Sequence, residues 1–147
     1  MAKTTNCRFA FAVHVLSVMA LKRDEPLTSQ ALSLSVNTNP VVIRRLLADL
    51  RAAGLVRTQR GQGGGSVLAC APTEISLCAV YRAAVGVPTL FAGHPNPPAK
   101  GCPVGREILN VLDDVAERAR AAVIREYSAI TLADVVRSLD KSRPRGR

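Results

Sequence analysis

The 147-residue chain has almost no aromatic side chains: Trp is absent, and Phe and Tyr together make up 3% of its residues. Its core therefore has to be aliphatic. Hydrophobic residues account for 48% of the chain, which is enough for one well-packed domain or for a small domain with an extension. We expect a globular protein whose interior consists of Leu, Val, Ile and Ala.

The sequence also lacks an apolar run long enough to cross a bilayer. The longest run, Phe9 to Leu21, is broken by two polar residues and ends in Lys22-Arg23-Asp24-Glu25, with no small-residue cleavage site after it. We therefore expect a cytoplasmic protein with no membrane partner. Its four cysteines are then predicted to be reduced thiols rather than disulfides.

Acidic residues are scarce relative to basic ones. The chain has 20 Lys and Arg against 11 Asp and Glu, a formal net charge of +9. The first 72 residues hold nine basic and three acidic residues, so the N-terminal half carries most of this excess. Such a surface attracts a polyanion, because phosphate neutralisation releases condensed counterions. Charge alone does not distinguish nucleic acid from an anionic membrane surface.

The hydrophobic spacing predicts three helices in the N-terminal half. The first covers residues 6–23, and the second covers residues 29–34 after a capping Thr28. Asn39 has the character of an N-cap and Pro40 that of a first helical residue, so a third helix is expected from Pro40 to about Ala53. Its buried stripe is predicted to be Val42 or Ile43, Leu46, Leu50 and Ala53.

A glycine-rich turn between two short apolar segments predicts a hairpin after the third helix. The strands are expected at 55–58 and 66–70, and a fourth helix at 76–85. Three helices followed by a two-stranded hairpin is the element order of a winged helix-turn-helix. The predicted fold class is thus mainly α with a small β-hairpin.

The C-terminal half reads as a Pro/Gly-rich loop followed by a long helix that begins at Pro103. Apolar residues alternate steps of four and three along this helix, a coiled-coil-like seam that favours a homodimer. Thr131 and Asp134 indicate a last short helix. We divide the chain into a DNA-binding domain (1–86), a loop (87–102), a dimerisation helix with a short C-terminal helix (103–140) and a basic tail (141–147). The seam residues are Ile108, Leu112, Val115, Ala119 and Ala122.

The third helix is the first candidate site. Its face opposite the apolar stripe offers Val41, Arg44 and Arg45, and arginines at the start of such a helix can bind guanine edges or phosphates in a major groove. Thr38 and Asn39 lie at the helix entrance, where side-chain and backbone donors can meet a phosphate. The alternative is an ordinary basic amphipathic helix on a small bundle, but the short helix before it and the hairpin after it favour DNA binding.

The glycine turn is the second candidate site. As a wing, it would bring Arg60 and Gln62 to the minor groove or a phosphate, with Gly63 and Gly64 letting the tip follow the DNA backbone. It does not fit a nucleotide-binding loop, because Lys-Ser/Thr does not follow and no helix opens after it. A plain hairpin turn without function is the remaining alternative.

Cys102 is the candidate sensor. It precedes Pro103, where a thiol would meet the positive end of the helix dipole, and His94 in the same loop could act as its ligand or base. An unreactive loop cysteine and a solvated histidine are the alternatives. Cys70 and Cys78 are expected to be small core residues. The sequence has no recognisable catalytic constellation, so an enzyme is not expected.

Three segments together resemble the Rrf2 family of bacterial winged helix-turn-helix regulators, over about residues 6–138. They are Thr38-Asn39-Pro40-Val41-Val42-Ile43-Arg44-Arg45-Leu46-Leu47, Leu50-Arg51-Ala52-Ala53-Gly54-Leu55-Val56 and Arg60-Gly61-Gln62-Gly63-Gly64-Gly65. The resemblance implies a homodimer on a palindromic operator, with the long helix as dimer element. It also implies DNA contacts from Thr28 and Ser29.

One departure from the family pattern concerns its iron–sulfur cluster. Members that carry a cluster use three closely spaced cysteines in the loop before the long helix, where this chain has Cys102 alone. The resemblance is therefore to cluster-free members, and no cofactor is expected. We expect a DNA-binding regulator, a repressor rather than an activator, with an unidentified effector and a redox-sensitive thiol. The alternative is an adaptor that uses the winged-helix scaffold to bind a protein.

Overall fold

The computed structural model describes residues 7–142. Within them the chain is mainly helical, with one antiparallel two-stranded hairpin, which confirms the predicted fold class. Of the predicted basic tail, residues 143–147 lie outside the described residues. In chain order the elements are α1 (Arg8–Leu21), α2 (Ser29–Val36), α3 (Pro40–Ala52), β1 (Val56–Gln59), β2 (Gly65–Leu68), α4 (Leu77–Ala84), α5 (Pro103–Ala129) and α6 (Leu132–Ser142), with a 3-10 turn at Pro72–Glu74.

Side-chain caps fix where α2 and α4 begin. The hydroxyl of Thr28 accepts a hydrogen bond from the backbone N–H of Ala31 at 3.1 Å, and Ser76 caps α4 in the same way. Such caps satisfy backbone donors that a helix leaves without an internal partner, and each is worth about 1 kcal/mol. The predicted capping role of Thr28 is confirmed.

One aliphatic core joins the N-terminal helices, the hairpin and the start of α6. Its residues include Leu16 of α1, Leu32 of α2 and Leu46 of α3, none more than 1% exposed, together with Leu132 of α6. The predicted stripe of the third helix is right for Leu46 and Leu50 but wrong for Ala53, which is exposed. Ala53 still donates its N–H to the carbonyl of Asp49 at 3.1 Å, but the chain turns directly after it at Gly54, whose φ is +77°, so that Leu55 packs in the core and Ala53 does not.

The hairpin is extended by a single bridge to a segment before α2. Thr58 of β1 pairs with Ser66 of β2, and Ser66 also exchanges backbone hydrogen bonds with Leu27 at 2.8 and 3.0 Å. Gly65 allows this approach, since a Cβ there would lie 2.6 Å from the carbonyl oxygen of Leu27. Since β2 ends at Leu68, Cys70 lies just beyond the strand in which it was predicted, and it is half-buried.

The last helix returns to the N-terminal core. The N–H of Leu77 donates to the carbonyl of Ile130 at 2.9 Å, and the N–H of Leu132 donates to the carbonyl of Ile75 at 2.8 Å. Thr131 and Asp134 form the predicted reciprocal cap, with the Thr131 N–H donating to the carboxylate at 2.9 Å. That backbone hydrogen bond holds the pKa of Asp134 below its ordinary value.

Three aromatic rings attach α5 to the helical core. Phe9 of α1 lies 5.1 Å from Tyr81 of α4 and 5.3 Å from Tyr127 of α5, measured between ring centroids. Aromatic pairs at such distances add about 0.5–1.5 kcal/mol beyond their buried area. Nearer the middle of α5, the Arg120 Nε donates to the carbonyl of Pro88 at 3.1 Å and so holds the start of the loop. None of the 27 residues of α5 is fully buried.

Candidate nucleic-acid interface

The start of α3 is held by the two residues predicted to begin it. The side chain of Asn39 accepts a hydrogen bond from the N–H of Val41 at 2.8 Å, and Pro40 occupies the first turn. Proline suits this position because its fixed φ matches the helix and no backbone donor is lost. The predicted N-cap is thereby confirmed, and the first helical turn has a defined direction.

Burial of one face of α3 turns its arginines outward. Ile43, Leu46 and Leu50 are at most 1% exposed, whereas Arg44 and Arg45 are exposed. Val41 is 41% exposed on the same side as the arginines. The helix therefore presents a short aliphatic residue and two guanidinium groups to solvent, a combination that can contact base edges and phosphates.

A basic cleft of about 300 Å³ lies on one side of this exposed face. Arg44 and Arg51 of α3 line it, and the Arg51 guanidinium donates a hydrogen bond to the hydroxyl of Thr58 on β1. Thr28 and Ser29, at the N-terminus of α2, also line it. The positive end of α2 and two arginines thus face the same cleft, an arrangement suited to a phosphate.

A second, open cleft of about 610 Å³ lies on the other side of α3. Arg45 and Arg82 line it. Arg8 lines it too, with its Nε donating to the carbonyl of Ala84 at 2.8 Å and its Nη2 paired with Asp49. Arg45 and Arg82 have no acidic partner within the part of the chain that the structure describes. Basic groups therefore flank the exposed face of α3 on both sides.

Arg51 and Arg82 were not among the site residues predicted from the sequence. Arg51 lies two turns beyond Arg44, and its role depends on β1 folding back against the end of α3. Arg82 belongs to α4, whose contact with α3 follows from tertiary packing. A helical projection of α3 would have placed Arg51 beside Arg44, but nothing in the sequence indicates the approach of Arg82.

The glycine turn joins β1 to β2 and exposes Arg60 and Gln62. Gly63 has a φ of +74°, a backbone conformation that residues other than glycine rarely adopt. A Cβ on Gly64 would lie 2.3 Å from the carbonyl oxygen of Gln59, so this glycine permits a close approach within the turn. The turn has the geometry of a wing; contact of these residues with DNA stays a prediction.

Thr38 is only half-exposed, and its N–H donates to the carbonyl of Ser33 at 3.0 Å. Its backbone therefore closes α2 and links it to the start of α3. Asn37 carries the left-handed conformation of this turn, with a φ of +61°. Together these residues form the tight connection between the two helices of the helix-turn-helix.

The structure exposes both residues of the candidate sensor site. Cys102 is the N-cap residue of α5, but its side chain makes no capping hydrogen bond, and its carbonyl accepts from the N–H of Arg106 at 3.0 Å. His94 is exposed in the loop. Within residues 7–142 no hydrogen bond joins these two side chains, so their pairing stays a prediction.

The cysteines do not fit an iron–sulfur cluster within one chain. Such clusters need several thiolate or imidazole ligands around the same irons. Cys102 is the loop's single cysteine, Cys78 is buried in α4, and Cys7 precedes α1. Nowhere among the described residues do three or more His, Cys, Asp or Glu side chains gather where they could hold a metal ion.

The seam predicted on α5 faces largely into solvent. Val115 is 49% exposed and Ala122 is also exposed, while Ile108, Leu112 and Ala119 are half-exposed. A second apolar surface, a groove of about 630 Å³, runs between α1 and α6 and includes Phe9, Val13 and Leu139.

Among the described helices, none has the length and apolar character needed to cross a membrane.

Comparison with known proteins gives a consistent family assignment. Residues 5–138 match the Rrf2 family, described as an iron-dependent transcriptional regulator. The Bacillus subtilis protein YwnA, named as an HTH-type transcriptional regulator, is 42% identical over 134 residues, which cover 91% of this chain and 98% of YwnA. The family and this relative are transcriptional regulators and not enzymes, as the sequence predicted.

Two solved structures share the fold. One, described as a DNA-binding protein, is 36% identical with a TM-score of 0.70, and the match covers 87% of this chain and 97% of that one. The other, described as a transcriptional regulator from Lactobacillus plantarum, is 26% identical with a TM-score of 0.79 and covers 94% and 93%. Similarity therefore extends over almost the whole chain, including α5.

The close approach at Gly64 leads to a stability prediction. We expect Gly64→Ala to lower the free energy of unfolding by about 1–3 kcal/mol, because the added Cβ overpacks the turn against the carbonyl of Gln59. Urea unfolding followed by circular dichroism measures this change. Gly93→Ala is the matched control, since a Cβ there meets nothing within 4 Å. Equal stability of the two variants would contradict the turn geometry.

Proposed function

Because this chain belongs to the Rrf2 family of transcriptional regulators, we propose that it binds a palindromic operator in double-stranded DNA as a homodimer and represses the adjacent promoter. The observation that carries the proposal is the exposed face of α3, with Arg44 and Arg45 outward between two basic clefts. A helix of this kind fits a major groove, which is flanked by two phosphate backbones.

In the proposed complex, the two clefts and the helix have different tasks. Arg44, Arg45 and Val41 meet base edges from the start of α3, and Asn39 meets a phosphate at its entrance. Arg51 with Thr28 and Ser29 binds one phosphate backbone, and Arg82 binds the other. Phosphate contacts supply affinity that falls with salt, whereas base contacts supply sequence choice. Arg60 and Gln62 extend the contact into the neighbouring minor groove.

Homodimerisation is supported by apolar surface that one chain leaves uncovered. Along α5, which is about 40 Å long at 1.5 Å per residue, the seam from Ile108 to Ala122 lacks full burial. Leucine and valine side chains in such a row are favourable only when another apolar surface covers them. A second copy supplies that surface, and its two-fold axis pairs two α3 helices with the two halves of a palindrome.

Repression by occupancy is the simplest mode for a dimer of this size. A protein that covers an operator overlapping a promoter excludes polymerase without any further activity. We propose that this happens in the cytoplasm, without an iron–sulfur cluster, and that hydrogen peroxide oxidises the exposed Cys102 thiolate to the sulfenic acid, with release of hydroxide, and thereby changes operator affinity. Cys102 lies at the junction of the loop with α5, so a bulky or charged group added to its sulfur would alter the start of the proposed dimer helix.

Removal of one guanidinium tests the DNA contact. We expect Arg44→Ala to weaken operator binding by about 1–3 kcal/mol and to relax one base preference, because the guanidinium contacts a base edge. Fluorescence anisotropy on a duplex selected from random DNA measures both effects. Arg118→Ala removes the same charge from exposed α5 and should change affinity little. Unchanged binding by Arg44→Ala, or wild-type binding that does not weaken as salt rises, would favour the adaptor alternative instead.

A charge in the seam tests the dimer. Val115 is 49% exposed in the single chain, so Val115→Glu should leave the fold intact while placing a carboxylate in the proposed interface. Sedimentation velocity should show a dimer for the wild type and a monomer for the variant. The loop variant Val87→Glu, at a residue 67% exposed, should stay dimeric. A dimeric Val115→Glu would place the interface elsewhere.

Hydrogen peroxide treatment tests the thiol, because it oxidises a single thiolate to the sulfenic acid. Wild-type operator affinity should change on oxidation and recover with dithiothreitol, and Cys102→Ser should abolish the response, because the thiolate is the reacting group. Cys7 is the other fully exposed cysteine, so Cys7→Ser is the control and should respond like the wild type. If Cys102→Ser still responds, or if the wild type is insensitive, the proposal for this thiol is wrong.

A further inference from the structure

A small basic recess lies behind the hairpin, separate from both clefts that flank α3. It encloses about 240 Å³ between the end of α1, the base of the hairpin and the 3-10 turn. Three cations line it: Lys22 and Arg23, which follow α1, and Arg57 of β1. Asp24 is the acidic residue among its lining groups.

The recess does not belong to the proposed DNA surface. Successive side chains of a strand point to opposite faces, so Arg57 and Thr58 face opposite sides of the hairpin. Thr58 and its partner Ser66 line the cleft beside Arg44, whereas Arg57 and its partner Val67 line the recess. A duplex seated on α3 would therefore lie on the other side of the hairpin.

The helix dipole explains only part of this charge. Lys22 and Arg23 follow the C-terminal end of α1, whose partial negative charge favours cations. Lys22 also lies 4.0 Å from Glu25. Arg57 comes from a different element, and within residues 7–142 neither it nor Arg23 has an ion-pair partner. Asp24 offsets part of the repulsion among the three cations, and a bound anion would offset the rest.

Apart from Asp24 and the three cations, the lining groups carry no charge, and they lower the local dielectric. Met19 and Val67 are 3% and 6% exposed and form an apolar floor. Burial, with a smaller contribution from Glu74, raises the pKa of the Cys70 thiol, so this side chain stays protonated at neutral pH. The Glu74 carboxylate itself accepts a hydrogen bond from the N–H of Ala71 at 3.1 Å.

We propose that this recess is a binding site for a small oxyanion, of the class of inorganic phosphate or a small phosphate monoester, held by Arg57, Arg23 and Lys22. Guanidinium groups bind such oxyanions in bidentate fashion, and the ammonium of Lys22 adds a point charge. The volume of the recess is below the roughly 300–1,000 Å³ of sites for drug-sized ligands, so the occupant is a small molecule. The site would join the hairpin to α1 through the anion.

Backbone amide NMR with inorganic phosphate tests this assignment without DNA. Titration at constant ionic strength, with chloride as the exchanged ion, should give saturable shifts confined to residues 19–24, Arg57 and residues 67–71. Arg57→Gln should weaken binding about tenfold or more, the loss expected for one charged hydrogen-bonding group. Arg118→Gln, which removes an equal charge from α5, should bind like the wild type. Glycerol 3-phosphate and acetate, titrated in the same way, separate phosphate esters from carboxylates.

Three results would overturn the proposal. Shifts that do not saturate and spread over all basic surfaces would mean general ion screening. Saturable shifts centred on Arg44 and Arg51 and unaffected by Arg57→Gln would place the anion in the DNA-facing cleft. The absence of any shift in the recess would show that it does not bind phosphate. Because the phosphate titration contains no DNA, its outcome is independent of whether the proposed operator binding holds.

Discussion

Packing of the buried face of α3 is the interaction on which the rest of the structure depends. Ile43, Leu46 and Leu50 anchor this helix in the aliphatic core, and Asn39 and Pro40 fix the turn at which it begins. Because one face of α3 packs in the core, the helical period leaves Arg44 and Arg45 exposed to solvent. The arginines of α3 are thus exposed, and no charge is buried. The two basic clefts form because other elements pack on either side of α3.

The two proposed contact surfaces differ in character. Basic groups line both clefts beside α3, whereas uncovered apolar residues lie along α5 and in the groove between α1 and α6. The ring cluster of Phe9, Tyr81 and Tyr127 connects these two regions, since it fastens α5 to the helices that carry α3. In the proposed dimer, the aliphatic seam sets the spacing between two recognition helices, and that spacing decides which operators can be bound.

Local signals in the sequence predicted the fold well. Thr28, Asn39 and the pair Thr131 and Asp134 cap helices through interactions with residues at most three positions away, so a pattern in the sequence is enough to find them. Ala53 was misplaced because the chain turns at Gly54 and buries Leu55 in the core instead. The helical period would have placed Arg51 beside Arg44, but its contact with β1 and the approach of Arg82 on α4 come from tertiary packing, which leaves no periodic signal. The recess around Arg57 was missed for the same reason.

The most direct test of the account is a photo-crosslink between α3 and a base. A benzophenone side chain introduced at Val41, which is 41% exposed at the start of α3, should couple to a base in the major groove of a selected operator duplex. The same side chain at Val87, in the loop after α4, should not couple. A duplex that is bound but crosslinks at Val87 and never at Val41 would show that DNA lies elsewhere, and would contradict the central role given to α3.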